Sequence, residues 1–525
     1  MKRRNFLKYA AAGTAVPHFI PYSGAGKVSS SPWVRLLEQS LIETDHVMVL
    51  IRLDGGNDGL NTVIPLDQFD KLNNVRPHVI MPESSLLGLD GQDKIAFHPA
   101  MTGLRNLYNE GQLKIIQSVG YPNQDFSHFR SSDIWMTGAD HDQVLGTGWA
   151  GRYLENEFPN FPVDYPNEQM PDPLSMEIGP RLSLTFQGSG TAMGMSVYNP
   201  DDFYRLVDGI QTPVPETPAG ELLEHIRLVK QQSNSYGERV SEAYLLSRNR
   251  ANYPQGNELA EQLAIVARLI SGGLKTRIYL VSISGFDTHD NQVTGADHTV
   301  GEHANLLRSV SDAVEAFMKD IKLLNLEERV VGMTFSEFGR RIVSNASLGT
   351  DHGAAAPMFV FGKPVEGGVI GENPFIPTNA TYEDNIEMQY DFRALYATML
   401  KDWFCLEDSD LSNVMLDQYE TLPIINGGCS TTTSTRDRNR SAGTNLLTIS
   451  PNPTRDWAVF EFENEDYAML QIFDMQGQLI ATPVNRKLPK GKQQIRYNFA
   501  NLPSGMYSIR LHLGDRVQTK QVVKR

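Results

Sequence analysis

Five stretches of the chain are apolar almost throughout, and none alternates with a period of two: His46–Leu53, Leu113–Val119, Arg277–Ile283, Val330–Phe335 and Met358–Gly362. Short continuous apolar runs of this kind predict strands buried on both faces. Glu258–Ser271 and His303–Leu324 instead place apolar residues three and four apart, the helical period. The alternation predicts an α/β fold whose mostly parallel sheet is flanked by helices. In such sheets ligands sit beyond the carboxyl ends of the strands, so polar residues directly after a strand carry most weight.

At 525 residues the chain needs more than one module. Its formal net charge of −15 disfavours a nucleic-acid partner. No apolar run reaches the ~18–20 residues needed for a transmembrane span. Two cysteines, Cys405 and Cys429, exclude a disulfide-dense scaffold and a thiolate-built zinc site. They could pair in an oxidising compartment. Any metal must then be held by oxygen and imidazole.

The two ends differ from the centre. Residues 1–30 read as an export signal: a basic start, Met1 to Lys8, then a short weakly apolar stretch. Arg3-Arg4 followed by Phe6-Leu7-Lys8 resembles the twin-arginine pattern, which implies the twin-arginine translocase as a partner. Residues 429–444 form a Ser/Thr/Arg-rich linker with nothing to bury. Beyond it, Trp457–Phe462, Ala468–Phe473, Gln494–Phe499, Met506–Leu513 and Val517–Val523 alternate between turn residues. They predict a small all-β sandwich over 445–525. That tail carries about +4, leaving the rest of the chain near −19.

The candidate site lies at the strand ends. The first strand runs into Asp54-Gly-Gly-Asn-Asp58, where a carboxylate among glycines suits a metal ligand or a self-bonded turn. The third delivers Asp287-Thr-His289-Asp290, hard oxygen donors beside an imidazole. The fourth ends in Ser336-Glu337-Phe-Gly-Arg340, and a loop supplies Asp351-His352-Gly353 before the next strand. Asp54 and Glu337 could instead cap helices, Arg340 could neutralise Glu337, and Asp351 could cap a turn. Their joint position makes one shared site the economical reading. A further segment, Ser127-His128-Phe-Arg130, stands at a helix start. Ser127 suits a nucleophile and Arg130 the clamp on an anionic ester, while Ser127 could be a plain N-cap and His128 a further ligand or a packing residue. His98, His225 and His303 read as structural.

These segments resemble a known family. Leu50 to Thr62, Phe97-His-Pro, Ser127-His-Phe-Arg, Gly148-Trp-Ala-Gly-Arg152, Gly285-Phe-Asp-Thr-His289, Ser336-Glu-Phe-Gly-Arg340 and Asp351-His-Gly353 are similar, in order, to the bacterial DUF1501 family. The resemblance spans 45–428. It implies an alkaline phosphatase-like or sulfatase-like fold with one or two divalent metals, zinc foremost, then calcium, magnesium or manganese. Carried over, Asp54, Asp287, His289, Glu337 and His352 resemble the metal ligands, and Asp351 joins them by its position beside His352. Ser127 or His128 falls at the nucleophile, with Arg130 beside it. Ile449-Ser-Pro-Asn-Pro-Thr454, Leu502-Pro-Ser-Gly-Met-Tyr507 and the final Lys-Gln-Val-Val-Lys-Arg resemble the sorting domain of the Bacteroidetes type IX secretion system, implying that machinery as a partner and the outer-membrane surface or exterior as destination.

Together these readings predict an exported metal-dependent hydrolase of phosphate or sulfate esters. The alternative is a surface-binding protein that keeps the fold without catalysis. Neither cysteine lies near the nucleophile helix, which disfavours a modified-cysteine sulfatase.

Overall fold

The computed structural model describes residues 45–163, 165–198, 235–426, 429, 447–464, 467–474, 479–513 and 516–525. The expected export signal, nearly all of the expected linker and His225 lie outside them. Nine strands form the central sheet: β1 (Val47–Asp54), β2 (Leu113–Gly120), β3 (Ser175–Ile178), β4 (Met195–Val197), β5 (Ile278–Ser284), β6 (Val330–Phe335), β7 (Ala356–Phe361), β8 (Gly368–Ile370) and β9 (Tyr390–Asp391). Their order is β8-β2-β7-β6-β1-β5-β3-β4, with β9 also on β2.

β1 lies parallel between β5 and β6, in the middle of the sheet. Its residues divide by parity. Val47, Val49, Ile51 and Leu53 face helices Thr102–Asn109 (α1), Glu258–Ser271 and Glu302–Leu323, while Met48 and Leu50 face the other layer with Trp135, Trp149 and Tyr396. A strand covered on both faces must be apolar at every position, which is why this segment shows no alternation.

β7 is the exception to parallel pairing, running antiparallel to both β2 and β6. Its amino end therefore lies at the carboxyl edge of the other strands. Residues that precede β7 thus reach the same edge as residues that follow β1, β5 and β6.

Residues 447–525 form two antiparallel sheets. One holds Thr448–Ser450, Trp457–Asn464 and Gly491–Asn498; the other holds Leu479–Lys487, Tyr467–Phe473, Gly505–Leu513 and Arg516–Lys524. Between them lies a separate core including Phe460, Phe462, Leu470, Ile472, Ile509 and Leu511. The sandwich agrees with the sequence reading and adds two strands to it, Thr448–Ser450 and Leu479–Lys487. The latter lies at a sheet edge, where Pro483 and a polar run are tolerated and leave little alternation. Cys405 and Cys429 form a disulfide with Cα atoms 5.4 Å apart.

Beneath the strand ends lies a buried polar layer. Arg76, fully buried, donates to both carboxylate oxygens of Asp58 at 3.0 and 2.7 Å, and Gln292 donates to Asp58 Oδ2. Burial alone would raise Asp58, but the Arg76 charge and hydrogen bonds hold it below the usual carboxylate range. Gln292 Oε1 accepts from Thr288 and Thr350, tying the loop after β5 to the loop before β7. His303 donates from Nε2 to Asn57 Oδ1. Burial lowers His303 to about 4 and the neighbouring His98 to about 3.

The layer should be visible in stability measurements. Asp58→Ala leaves Arg76 charged and enclosed, so the chain should lose about 3–5 kcal/mol in urea unfolding. Both histidines are held neutral below their unfolded value of 6.5, so their contribution is present above pH 6.5 and lost as pH falls toward 4. For His303 the full effect is on the order of 3 kcal/mol. A urea midpoint that does not fall between pH 7 and pH 5, or that falls equally in His303→Asn, contradicts this assignment.

Candidate metal centre

The site is assembled by one arginine. Arg340 is fully buried, and its Nε donates to Gly56 O at 2.7 Å, its Nη1 to Thr350 O at 2.8 Å, and its Nη2 to Gly55 O, Phe286 O and the Asp287 carboxylate. It therefore clamps the loops after β1 and β5 to the loop before β7. The reading that paired Arg340 with Glu337 is corrected, since its carboxylate partner is Asp287. Gly55 and Gly56 have φ of +123° and +84°, and a Cβ at Gly55 would stand 2.2 Å from Asp287 N. Glycine is required there by both conformation and space.

Around Asp287 gather three imidazoles. Its Oδ1 lies 3.1 Å from His352 Nε2 and 3.2 Å from His289 Nε2, and its Oδ2 lies 3.4 Å from His128 Nε2. The two nitrogens His289 Nε2 and His352 Nε2 are 2.9 Å apart. His128, Asp287 and His352 each offer an atom within 4.8 Å of the others. Asp287 is about half exposed, so the group opens to solvent.

Each imidazole is held from behind through its other nitrogen. His128 Nδ1 bonds Glu337 Oε1 at 2.8 Å, His289 Nδ1 bonds Asp351 Oδ1 at 2.9 Å, and His352 Nδ1 bonds the Phe126 carbonyl at 2.8 Å. Carboxylates and carbonyls accept, so all three rings carry their proton on Nδ1 and turn the Nε2 lone pair inward. Phe338, buried, packs its ring 4.9 Å from His128 and 4.5 Å from His352. Glu337 also accepts from Gly55 N, and Asn345 donates to Asp351.

The electrostatics agree. Burial raises Asp287, but the hydrogen bond and charge of Arg340, together with the adjacent His352, bring it down to about 2. Asp351 is likewise lowered, burial being outweighed by its bonds to His289 and Asn345. Burial lowers His352, against Asp287 and the Phe126 carbonyl. With each ring protonated on Nδ1, the centre presents several acceptors and no inward proton. Mutual repulsion among such groups is relieved by a cation, and three imidazoles with a carboxylate are an ordinary donor set for a divalent metal.

Measured against the expected site, Asp287, His289 and His352 meet at one point, and His128 joins them. Glu337 and Asp351 reach the centre only through His128 and His289. Asp54 stands apart in an ion pair with Arg52, at 2.8 Å from Nη2, its carboxyl raised by burial. Arg130 donates to the carbonyls of Asp140, His141 and Gln143, pinning a loop. Ser127 precedes helix His128–Thr137 (α2) with an exposed side chain that makes no capping bond. The Phe126 carbonyl and the Phe338 ring were outside the sequence reading. A backbone acceptor leaves no mark in a sequence, but Phe338 stood inside the quoted Ser336 to Arg340 segment.

Residues 211–408 match the family described as Protein of unknown function (DUF1501), and residues 448–525 match the Secretion system C-terminal sorting domain. The chain is thus similar to that family over residues 211–408 and to that sorting domain over its tail. The DUF1501 match includes Asp287, His289, Glu337, Arg340, Asp351 and His352, and the tail marks the chain for secretion. No curated protein matches it. Among solved structures it is similar to a protein of the alkaline phosphatase superfamily from Vibrio parahaemolyticus, at 9% identity and TM-score 0.33, covering 100% of this chain and 91% of that one. It is also similar to the PsFucS1 sulfatase from Pseudoalteromonas sp., at 11% identity and TM-score 0.29, covering 89% and 86%. A third is the phosphonate monoester hydrolase SpPMH from Silicibacter pomeroyi, at 9% and 0.28, covering 91% and 89%. At this degree of likeness the chemistry of the site rests on its own side chains. No described helix of the chain is long and apolar enough to cross a membrane.

If the Nδ1 partners set the ring orientations, Glu337→Gln and Asp351→Asn should each weaken divalent-metal affinity by about 10–100-fold, read by calorimetric titration. Unchanged affinity in both would remove them from the centre.

Proposed function

We propose that this chain is an exported, metal-dependent hydrolase of phosphate or sulfate esters. The observation that carries the reading is the convergence of three Nε2 lone pairs and the Asp287 carboxylate, each ring fixed from behind. His128, Asp287, His289 and His352 hold the metal, with zinc the first candidate from the imidazole-rich set. A divalent cation here supplies Lewis-acid polarisation of an ester oxygen.

The chain's own residues do the rest. Arg340 keeps Asp287 ionised and aimed. Glu337, Asp351 and the Phe126 carbonyl keep the imidazoles in the ligating tautomer. The available cationic side chains are already engaged: Arg340 with five acceptors, Arg52 with Asp54, and Arg341 with the His352 and Glu383 carbonyls. An anionic ester therefore meets carboxylates until a cation is held. This favours obligate metal dependence for both binding and turnover. No described base touches the exposed Ser127 hydroxyl, which favours water over Ser127 as the attacking group. The same observation favours the second reading, a metal-holding surface protein without catalysis.

Export proceeds through the twin-arginine translocase and then, by way of the tail, the type IX machinery.

Two experiments separate these readings. Metal analysis of the purified chain, followed by aryl phosphate and aryl sulfate assays with and without chelator, should give bound metal and chelator-sensitive turnover. Metal without turnover supports the binding protein, and no bound metal overturns both. Asp287→Ala should abolish metal retention and activity. Ser127→Ala should keep kcat within a few-fold, whereas a loss of about 10³-fold or more would make Ser127 the nucleophile.

A further inference from the structure

The tail meets the α/β region through a charged fork. Arg510, on strand Gly505–Leu513, donates from Nη2 to Glu155 Oε1 at 2.7 Å and to Ser189 Oγ at 2.6 Å. Its guanidinium also lies 5.4 Å from the centre of the Phe473 ring, on the neighbouring tail strand. Arg510 and Glu155 side chains are 21% and 30% exposed, so the fork keeps contact with solvent.

The receiving side is built without the tail. Glu155 lies near the end of helix Trp149–Glu157 (α3), and Ser189 in a turn closed by the Gln187–Ala192 bridge and by Gly188 N to Thr191 O at 2.8 Å. Gly148 N donates to Gln187 O, locking helix and turn together. Glu155 accepts from both the amide and the hydroxyl of Ser189, so its carboxylate is aimed before Arg510 arrives.

Two further observations fit a seat. On the outward face of the tail sheet carrying Arg510, Met469, Gln471, Phe473, Ser508 and His512 near the fork are half-buried while Tyr467 is exposed; on the other sheet Lys492, Gln494, Arg496 and Asn498 are all exposed. Charge is complementary as well, about +4 on the tail against about −19 on the remainder.

We propose that the sorting tail docks reversibly on the seat formed by Glu155 and Ser189, with Arg510 as its latch, and that the sheet face carrying Arg510 is freed when the latch opens. A fork of this kind is a weak association on its own, since ion pairs near the surface contribute about 0–1 kcal/mol. The covalent connection through residues 430–446 raises the effective concentration to the order of mM, enough to populate the docked state without making it permanent. Salt screens the latch and opens it.

The test uses the full-length chain. Small-angle X-ray scattering at low salt should give a larger radius of gyration for Arg510→Glu and Glu155→Arg than for the wild type, with compactness restored in the Arg510→Glu/Glu155→Arg double variant. The wild type should expand likewise in about 0.5 M NaCl. Hydrogen exchange at the Ser189 and Gly190 amides should quicken about threefold or more in Arg510→Glu, which leaves Glu155 intact. Exchange within Trp457–Asn464 and Tyr467–Phe473 should stay unchanged, showing that the tail is still folded. If Arg510→Glu matches the wild type in both scattering and exchange, or if the double variant stays as expanded as the singles, the latch is overturned.

Discussion

The Arg340 guanidinium is the interaction on which the site depends. Three loops from three different strands must meet at one point, and each brings backbone carbonyls that cannot be left buried without a donor. One planar group with five N–H bonds satisfies carbonyls of Gly55, Gly56, Phe286 and Thr350 and still holds the Asp287 carboxylate. A lysine, with one nitrogen and no fork, could not span these directions. The Asp58, Arg76 and Gln292 layer below repeats the principle, joining the same loops by hydrogen bonds one level deeper.

That rigidity explains how the histidines can be so crowded. His289 and His352 present Nε2 atoms 2.9 Å apart beside a carboxylate, an arrangement unfavourable for free side chains. It persists because Glu337, Asp351 and the Phe126 carbonyl hold the rings by their outer nitrogens while Phe338 blocks retreat. Acceptors arranged to repel one another store their favourable energy for a cation. Such crowding suits a cation at its centre.

Much of the architecture was legible. Uniform apolarity marked β1, β2, β5 and β6 because each is covered on both faces, and alternation marked the tail because its sheets are covered on one. The convergence of Asp287, His289 and His352 followed from their place after or before strands. Less legible was which groups touch the centre. Glu337 and Asp351 have the chemistry of ligands, yet each lies one bond behind a histidine; Asp54 has it too, yet Arg52, two residues earlier on the same strand face, takes it first. Arg130 has the chemistry of an anion clamp, yet three carbonyls of a nearby loop claim it.

Sequence by itself determined the division into an acidic α/β region and a slightly basic β-tail, the edge of the sheet where chemistry gathers, and the absence of thiolate ligands. These come from local pattern and composition, which are read one segment at a time. Only the tertiary structure decided the direction of β7, the disulfide between Cys405 and Cys429, the partner of Arg340 and the order of groups around Asp287. Each of those depends on distances and angles between segments far apart in the chain, and a carboxylate near a metal centre reads the same in sequence whether it faces the centre or the imidazole in front of it.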